Sequence, residues 1–263
     1  MTAPGVGEQV PPLRSLTGSP ALAGPVPLVC LPAAGGGSRA FDDWAPLLPG
    51  RLQPLTVRLP GRESRLAEPL PGSLQELAAD LAAELGPRLP RRYAVLGHSM
   101  GALLAFELVR ELRRRGCPEP GCLVVSGIRA PDRLAGVRRY THLTDAALQR
   151  VIENMGGTDP RVLADPDLRE LMLPILRGDL ELCDRYGFRP EPPLGCPMVA
   201  YGGHGDDELD QALLETWRPH TTGPLETRMF PGDHFFFQEV PVPFATDLAG
   251  RLRRHVLDRA PDS

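Results

Sequence analysis

The feature that most constrains this chain is Tyr93-Ala-Val-Leu-Gly-His-Ser-Met-Gly-Ala102. A short apolar run, Tyr93 to Leu96, meets Gly97-His-Ser-Met-Gly101, and residues with helical apolar spacing follow from Ala102 to about Arg114. This is a strand, a sharp turn and a helix with Ser99 at the apex. That context separates a G-x-S-x-G nucleophile elbow from a chance match. At so tight a turn the serine backbone is strained, and the positions two residues either side crowd each other, so both are glycine. The strain lifts the Ser99 hydroxyl clear of the sheet. The helix points its N-terminus at the same place, where free N–H groups and the dipole favour negative charge.

Such a turn needs a parallel sheet around it, and the chain supplies the rhythm. Buried strands are expected at Val26–Leu31, Leu55–Leu59, Cys122–Ser126, Met198–Tyr201 and Thr227–Phe230. Between them, Phe41, Trp44, Leu47 and Leu48 share one face of a helix, and a second helix runs from about Ser73 to Leu85. A further helix is expected from about Leu209 to Trp217, and a closing one from about Pro243 to Asp258. Strands alternating with helices predict an α/β fold, a mostly parallel sheet with helices on both faces. From about 141 to 193 the pattern is helical throughout, at Thr144–Met155, Asp165–Leu173 and Pro174–Tyr186, with Thr144 and Asp165 as N-caps. An insertion of this kind is expected to form a lid over the carboxyl edge of the sheet, where open α/β sheets hold their ligands. Residues 1–25, rich in Pro, Gly and Ala, are expected to be a flexible leader, and 26–263 a single domain.

Composition removes other classes. The net charge of −4 gives no reason to expect nucleic acid. No apolar run reaches the ~18 residues of a membrane helix, and no basic region precedes an apolar core at the N-terminus. Five scattered cysteines without a C-x-x-C fit reduced thiols in a cytoplasm better than a disulfide or zinc framework; no metal site and no cofactor are expected. A monomer is the expected state.

A serine hydroxyl needs a base within hydrogen-bond reach. Among the six histidines, His98 lies inside the elbow and points away. His142 and His255 are expected to face solvent, and His220 follows a helix. His204, in Gly202-Gly-His-Gly205, competes with His234, which stands just after the last strand and is preferred. The chain order for an elbow of this kind is Ser, acid, His. The acid therefore lies between them at a strand end: Asp206, with Asp207 as the alternative. Asp233, adjacent to the histidine, reads as a capping or solvated carboxylate. Two donors must meet the oxyanion of the tetrahedral intermediate. One is the Met100 N–H. The other comes from Pro32-Ala-Ala-Gly-Gly-Gly37, with Ala34 first and Ala33 second. That glycine run lacks the residues of a phosphate loop.

These residues resemble the type II thioesterases that stand beside modular polyketide synthases and nonribosomal peptide synthetases. The resemblance runs from about residue 26 through nearly the whole chain. It includes Leu31-Pro-Ala-Ala-Gly-Gly36, Arg58-Leu-Pro-Gly-Arg62, Gly97-His-Ser-Met-Gly-Ala102, Ala105-Phe-Glu107, Ser126-Gly-Ile-Arg-Ala-Pro131, Met155-Gly-Gly-Thr158, Leu173-Pro-Ile-Leu-Arg-Gly-Asp179, Trp217 and His234-Phe-Phe236. It implies an α/β-hydrolase fold with a helical lid, and hydrolysis of stalled or aberrant acyl groups from the phosphopantetheine arm of acyl or peptidyl carrier proteins. Carried over, the nucleophile is Ser99, the base His234, the acid Asp206 and the oxyanion donors Ala34 and Met100. The doubled carboxylate of Gly-His-Gly-Asp-Asp leaves Asp207 open. Chain-releasing domains place their acid directly after the strand that here ends at Ser126, and no acid stands there. A general esterase or lipase shares the triad and remains the other reading; a catalytically silent scaffold does not fit the intact residues. Arg133, Arg138 and Arg139 are candidates for contact with an acidic carrier.

Overall fold

The computed structural model describes residues 13–15, 25–134, 140–156, 161 and 164–258. Among these, strands β1 (Leu13–Ser15), β2 (Val26–Leu31), β3 (Leu52–Val57), β4 (Ala94–His98), β5 (Cys122–Ser126), β6 (Met198–Gly203) and β7 (Leu225–Phe230) form one sheet in the order β1-β3-β2-β4-β5-β6-β7. Strands β2 to β7 are parallel, and β1 closes one edge antiparallel to β3, with Leu13 opposite Val57. The helices are α1 (Leu74–Leu85), α2 (Met100–Arg114), α3 (Asp145–Met155), α4 (Pro166–Arg185), α5 (Gln211–Glu215), α6 (Phe236–Glu239) and α7 (Pro241–Leu252).

Alternation along each central strand divides the interior in two. Val29, Leu31, Val95, Leu123 and Val125 face α1 and α2, while Leu28, Cys30, Leu96, Cys122 and Val124 face Trp44, Phe244 and α7. Both side-chain sets are apolar because both faces of a parallel sheet are covered. The buried cysteines serve as small apolar residues; burial pushes the Cys30 and Cys122 thiols far above their usual range. Helix α1 begins on Ser73, whose side chain accepts from the Glu76 N–H, and buries Leu74, Leu77, Ala78, Leu81 and Leu85 against α2.

Three expectations are corrected. The stretch expected as a leader contributes β1, whose bonds to β3 satisfy an otherwise open sheet edge. Phe41 to Leu48 form turns and a short 3-10 segment, Ala45–Leu47, not an α-helix. Pro46 sits at the start of that segment and Pro49 follows it, so the chain cannot extend helically, yet Phe41 and Trp44 are still buried. The third concerns Pro174, expected to separate two helices. Helix α4 runs through it. An interior proline costs a helix about 3 kcal/mol. Burying Leu176, Leu180 and Leu182 beyond it returns about 1.5–3 kcal/mol each, so continuation wins.

The helices between β5 and β6 have a small core of their own, in which Leu148 and Ile152 of α3 meet Leu176 and Leu180 of α4. The expected caps are in place: Thr144 accepts from the Ala147 N–H, and Asp165 from those of Asp167 and Leu168. The exit of α4 is tied to α2 by a buried polar group. The Tyr186 hydroxyl donates to Glu107 Oε1 at 2.6 Å, and Arg110 Nη1 reaches the same oxygen at 2.7 Å.

Candidate active site

Parallel strands deliver their carboxyl ends to one edge, and the loops that carry the candidate residues all open there. Ser99 follows β4 with φ 55° and ψ −121°, and with Glu63 it is one of two non-glycine residues with positive φ among the described residues. The glycines of the elbow are needed, though each for a different neighbour. A Cβ on Gly97 would lie 2.0 Å from the Gly101 carbonyl oxygen, whereas one on Gly101 would lie 2.1 Å from the carbonyl oxygen of Leu31. The elbow is therefore packed against β2 as well as against itself, which brings the loop after β2 close to Ser99.

The Asp206 and His234 loops are equally close. A Cβ on Gly203, at the end of β6, would meet the Asp233 carbonyl oxygen at 2.0 Å. That approach sets Asp206 Oδ2 2.7 Å from His234 Nδ1. The two side chains are 6% and 12% exposed, so the bond is largely shielded from water. Asp206 Oδ1 accepts from the Glu208 N–H. Asp207 is exposed, and Asp233 caps its own turn by accepting from the Phe235 N–H.

The other histidines separate by environment. His204 is exposed and does not line the cavity that contains Ser99 and His234. His142 is exposed, as expected. His255 is not solvent-facing as expected but half-buried against Glu226. His220 is buried between Phe106, Phe188 and Trp217, with Nε2 2.7 Å from Asp132. His98 lies beneath the site: Nδ1 is 3.1 Å from Ser126 Oγ, and its ring centroid is 4.9 Å from that of His234. Gly127 follows β5 with φ 70°, and a Cβ there would come 2.4 Å from His98 Cε1. The strand end that carries the acid in chain-releasing domains is thus occupied by a glycine packed on an imidazole.

Burial first, and then the neighbouring His234, hold the His98 pKa well below its ordinary 6.5. The unfolded chain therefore binds a proton below about pH 6.5 that the native state refuses, and stability present at neutral pH is lost as the pH falls. Urea melts of wild type and His98→Asn between pH 7 and pH 5 are expected to show the wild type losing up to ~1.4 kcal/mol more per pH unit. Parallel slopes would remove His98 as the cause.

The cavity at this edge measures about 680 Å³. Its lining includes Ser99, Asp206 and His234 together with the apolar side chains of Leu103, Ile128, Leu134, Ile152, Met172 and Leu176. The last three come from the helical insertion, so α3 and α4 supply one wall. Ala34 and Met100 both line the space. The Met100 N–H is a first-turn donor of α2, beyond reach of any helix carbonyl. In the loop after β2, the Gly35 N–H donates to Asp179 and the Gly36 N–H to the Ala33 carbonyl. Among the described residues, the Ala34 N–H has no protein acceptor. Arg133 is exposed near the same edge; Arg138 and Arg139 lie outside the described residues. The roles of Arg62 and Asp179 were not readable from the sequence, although both sit in segments that carry the family resemblance.

An elbow serine, a shielded Asp–His pair and a helical insertion at the carboxyl edge of this sheet define an α/β-hydrolase. Comparison with known proteins narrows the class. Residues 26–250 match the thioesterase domain family, and the chain belongs to it. It is 37% identical over 226 residues to the gramicidin S biosynthesis protein GrsT of Aneurinibacillus migulanus, covering 86% of this chain and 88% of that one. It is 38% identical to thioesterase PikA5 of Streptomyces venezuelae, over 90% of this chain and 84% of the other. The structure of the RedJ thioesterase from the prodiginine biosynthetic pathway of Streptomyces coelicolor superposes with a TM-score of 0.79 at 41% identity, covering 86% and 91% of the two chains.

Proposed function

We propose that this chain is an editing, type II thioesterase, which removes stalled or aberrant acyl groups from the phosphopantetheine arm of carrier proteins in polyketide or nonribosomal peptide synthesis. The observation that carries the chemistry is the 2.7 Å Asp206–His234 bond at the rim of a cavity that also holds Ser99. Support for the substrate comes from relatives named for gramicidin S and prodiginine biosynthesis.

In the mechanism, His234 Nε2 accepts the Ser99 hydroxyl proton as Oγ attacks the thioester carbonyl carbon. The carbonyl π electrons move to oxygen, and the oxyanion accepts from the Met100 and Ala34 N–H groups. The intermediate collapses, the C–S bond breaks, and the imidazolium returns its proton to the departing sulfur. Water then repeats the sequence on the acyl-enzyme: His234 takes its proton, hydroxide adds to the ester carbonyl, and Ser99 leaves with the proton as the free acid is released. Asp206 fixes the tautomer and stabilises the imidazolium without itself being protonated. Helices α3 and α4, within the lid expected at about 141–193, supply an apolar wall for the acyl chain through Ile152, Met172 and Leu176.

The test of the substrate assignment compares kcat/KM on acetyl- and propionyl-loaded carrier protein with that on the matching N-acetylcysteamine thioesters and oxygen esters. A preference for the loaded carrier of at least about tenfold, equal to ~1.4 kcal/mol of added transition-state binding, is expected. Equal values on carrier, small thioester and simple ester would move the chain to the general esterase reading.

A further inference from the structure

Three segments distant in sequence meet behind the loop that follows β2. Asp179, on α4, accepts from the Gly35 N–H at 2.8 Å. It also receives both arms of the Arg62 guanidinium, Nη1 to Oδ2 at 2.7 Å and Nη2 to Oδ1 at 2.6 Å. Arg62 Nη1 donates in addition to the Gly36 carbonyl at 3.0 Å, and its Nε to the Pro60 carbonyl at 3.3 Å. One residue further on, Glu63 Oε1 accepts from both the N–H and the hydroxyl of Ser38. Glu63 takes φ 50°, a conformation a non-glycine residue keeps only where its surroundings over-determine it.

The Arg62 and Asp179 side chains are 4% and 2% exposed. Desolvation makes such a buried pair a poor device for stability alone, since well-packed apolar residues commonly do as well. What an ion pair adds is direction. The Gly35 N–H and the Gly36 carbonyl are both held by it, and the Gly36 N–H donates to the Ala33 carbonyl at 2.9 Å. The Ala33 carbonyl shares a rigid peptide plane with the Ala34 N–H, on the opposite side. Fixing one fixes the other.

We propose that Arg62 and Asp179, buttressed by Glu63, are positioning residues for hydrolysis. They lock the turn at 33–36 so that the Ala34 N–H stays aimed at the developing oxyanion. Because Asp179 belongs to α4, the oxyanion site is complete only when that helix is seated. This rests on the assignment of Ser99 as nucleophile and Ala34 as donor.

The experiment uses Asp179→Asn and the double variant Arg62→Met/Asp179→Leu, which exchanges the pair for apolar side chains of similar reach. Each is assayed on an acyl N-acetylcysteamine thioester. Affinities are measured for a trifluoromethyl ketone with the same acyl chain, whose adduct carries an oxyanion, and for the matching non-hydrolysable thioether. Both variants are expected to lose about 10- to 100-fold in kcat, somewhat less than the ~10²–10³ of deleting a donor outright. The ketone affinity should fall by a similar factor, while KM and the thioether affinity move less than about twofold. The double variant should keep wild-type thermal stability and still show the loss. A merely structural pair predicts the reverse: activity recovered in the double variant, or a loss shared equally by ketone and thioether. Labelling of wild-type Ser99 by a fluorophosphonate separates the two levels. Failure to label removes the serine-hydrolase reading and this proposal with it, whereas labelling with unimpaired variants removes the clamp alone.

Discussion

Ser99→Ala is expected to lower kcat/KM on an acyl thioester by roughly four to six orders of magnitude. The size follows from what the substitution leaves behind. Alanine keeps the Cβ that the elbow already accommodates at φ 55°, so Gly97, Gly101 and the start of α2 need not move. The Met100 and Ala34 N–H groups and the cavity they line also remain. What disappears is the proposed nucleophilic atom, and the expected residual rate is that of water attacking a bound, polarised thioester. The melting temperature should be unchanged, and the variant should still bind the substrate, with KM or Kd near wild type. Stopped-flow release of the thiol should lose the initial acylation burst. A rate within about a hundredfold of wild type would mean that water is the direct nucleophile and that no acyl-enzyme forms.

Much of this site is legible in the sequence itself. Each piece has a local signature. Continuous apolar runs set the strands, and the elbow declares itself because a Cβ on Gly97 or Gly101 would lie 2.0 or 2.1 Å from a backbone carbonyl oxygen, so only glycine fits. The histidine and acid follow from strand ends that share one edge. Elements decided by distant partners were less legible. Strand β1 exists because β3 offers an open edge, and nothing in Leu13–Ser15 itself demands a strand. Helix α4 continues through Pro174 because Leu176, Leu180 and Leu182 beyond it are buried, a tertiary gain that outweighs a local rule. The short segment at Ala45–Leu47 shows the opposite balance: apolar spacing suggested a helix, and closely placed prolines prevented it. The Arg62–Asp179 clamp joins residues 117 positions apart. Their motifs stood out in the sequence, but only contact reveals what they grip. The doubled carboxylate at 206 and 207 left a choice that needs the direction of a side chain, and periodicity carries no such information inside a loop.

That choice supplies the second large effect. Asp206→Asn is expected to reduce kcat by roughly 10³–10⁴-fold, and Asp207→Asn by less than about threefold. The difference comes from the 2.7 Å contact between Asp206 Oδ2 and His234 Nδ1, whose side chains are both largely buried, whereas Asp207 is exposed. A carboxylate at that distance holds a proton on Nδ1 and leaves the Nε2 lone pair to take the serine proton. A carboxamide can present its N–H₂ to Nδ1 instead, which forces the proton onto Nε2 and turns the base into a donor. Volume and packing barely change, so the loss should appear in kcat with KM and melting temperature close to wild type. It should affect small thioesters and loaded carriers alike, because the defect lies in proton transfer rather than docking. Imidazole proton NMR offers an independent readout: the wild type should show a downfield Nδ1 proton on His234 that Asp206→Asn lacks and Asp207→Asn keeps. Should Asp207→Asn carry the large loss instead, the acid would belong one residue later and the loop after β6 would have to turn Asp207 inward during catalysis.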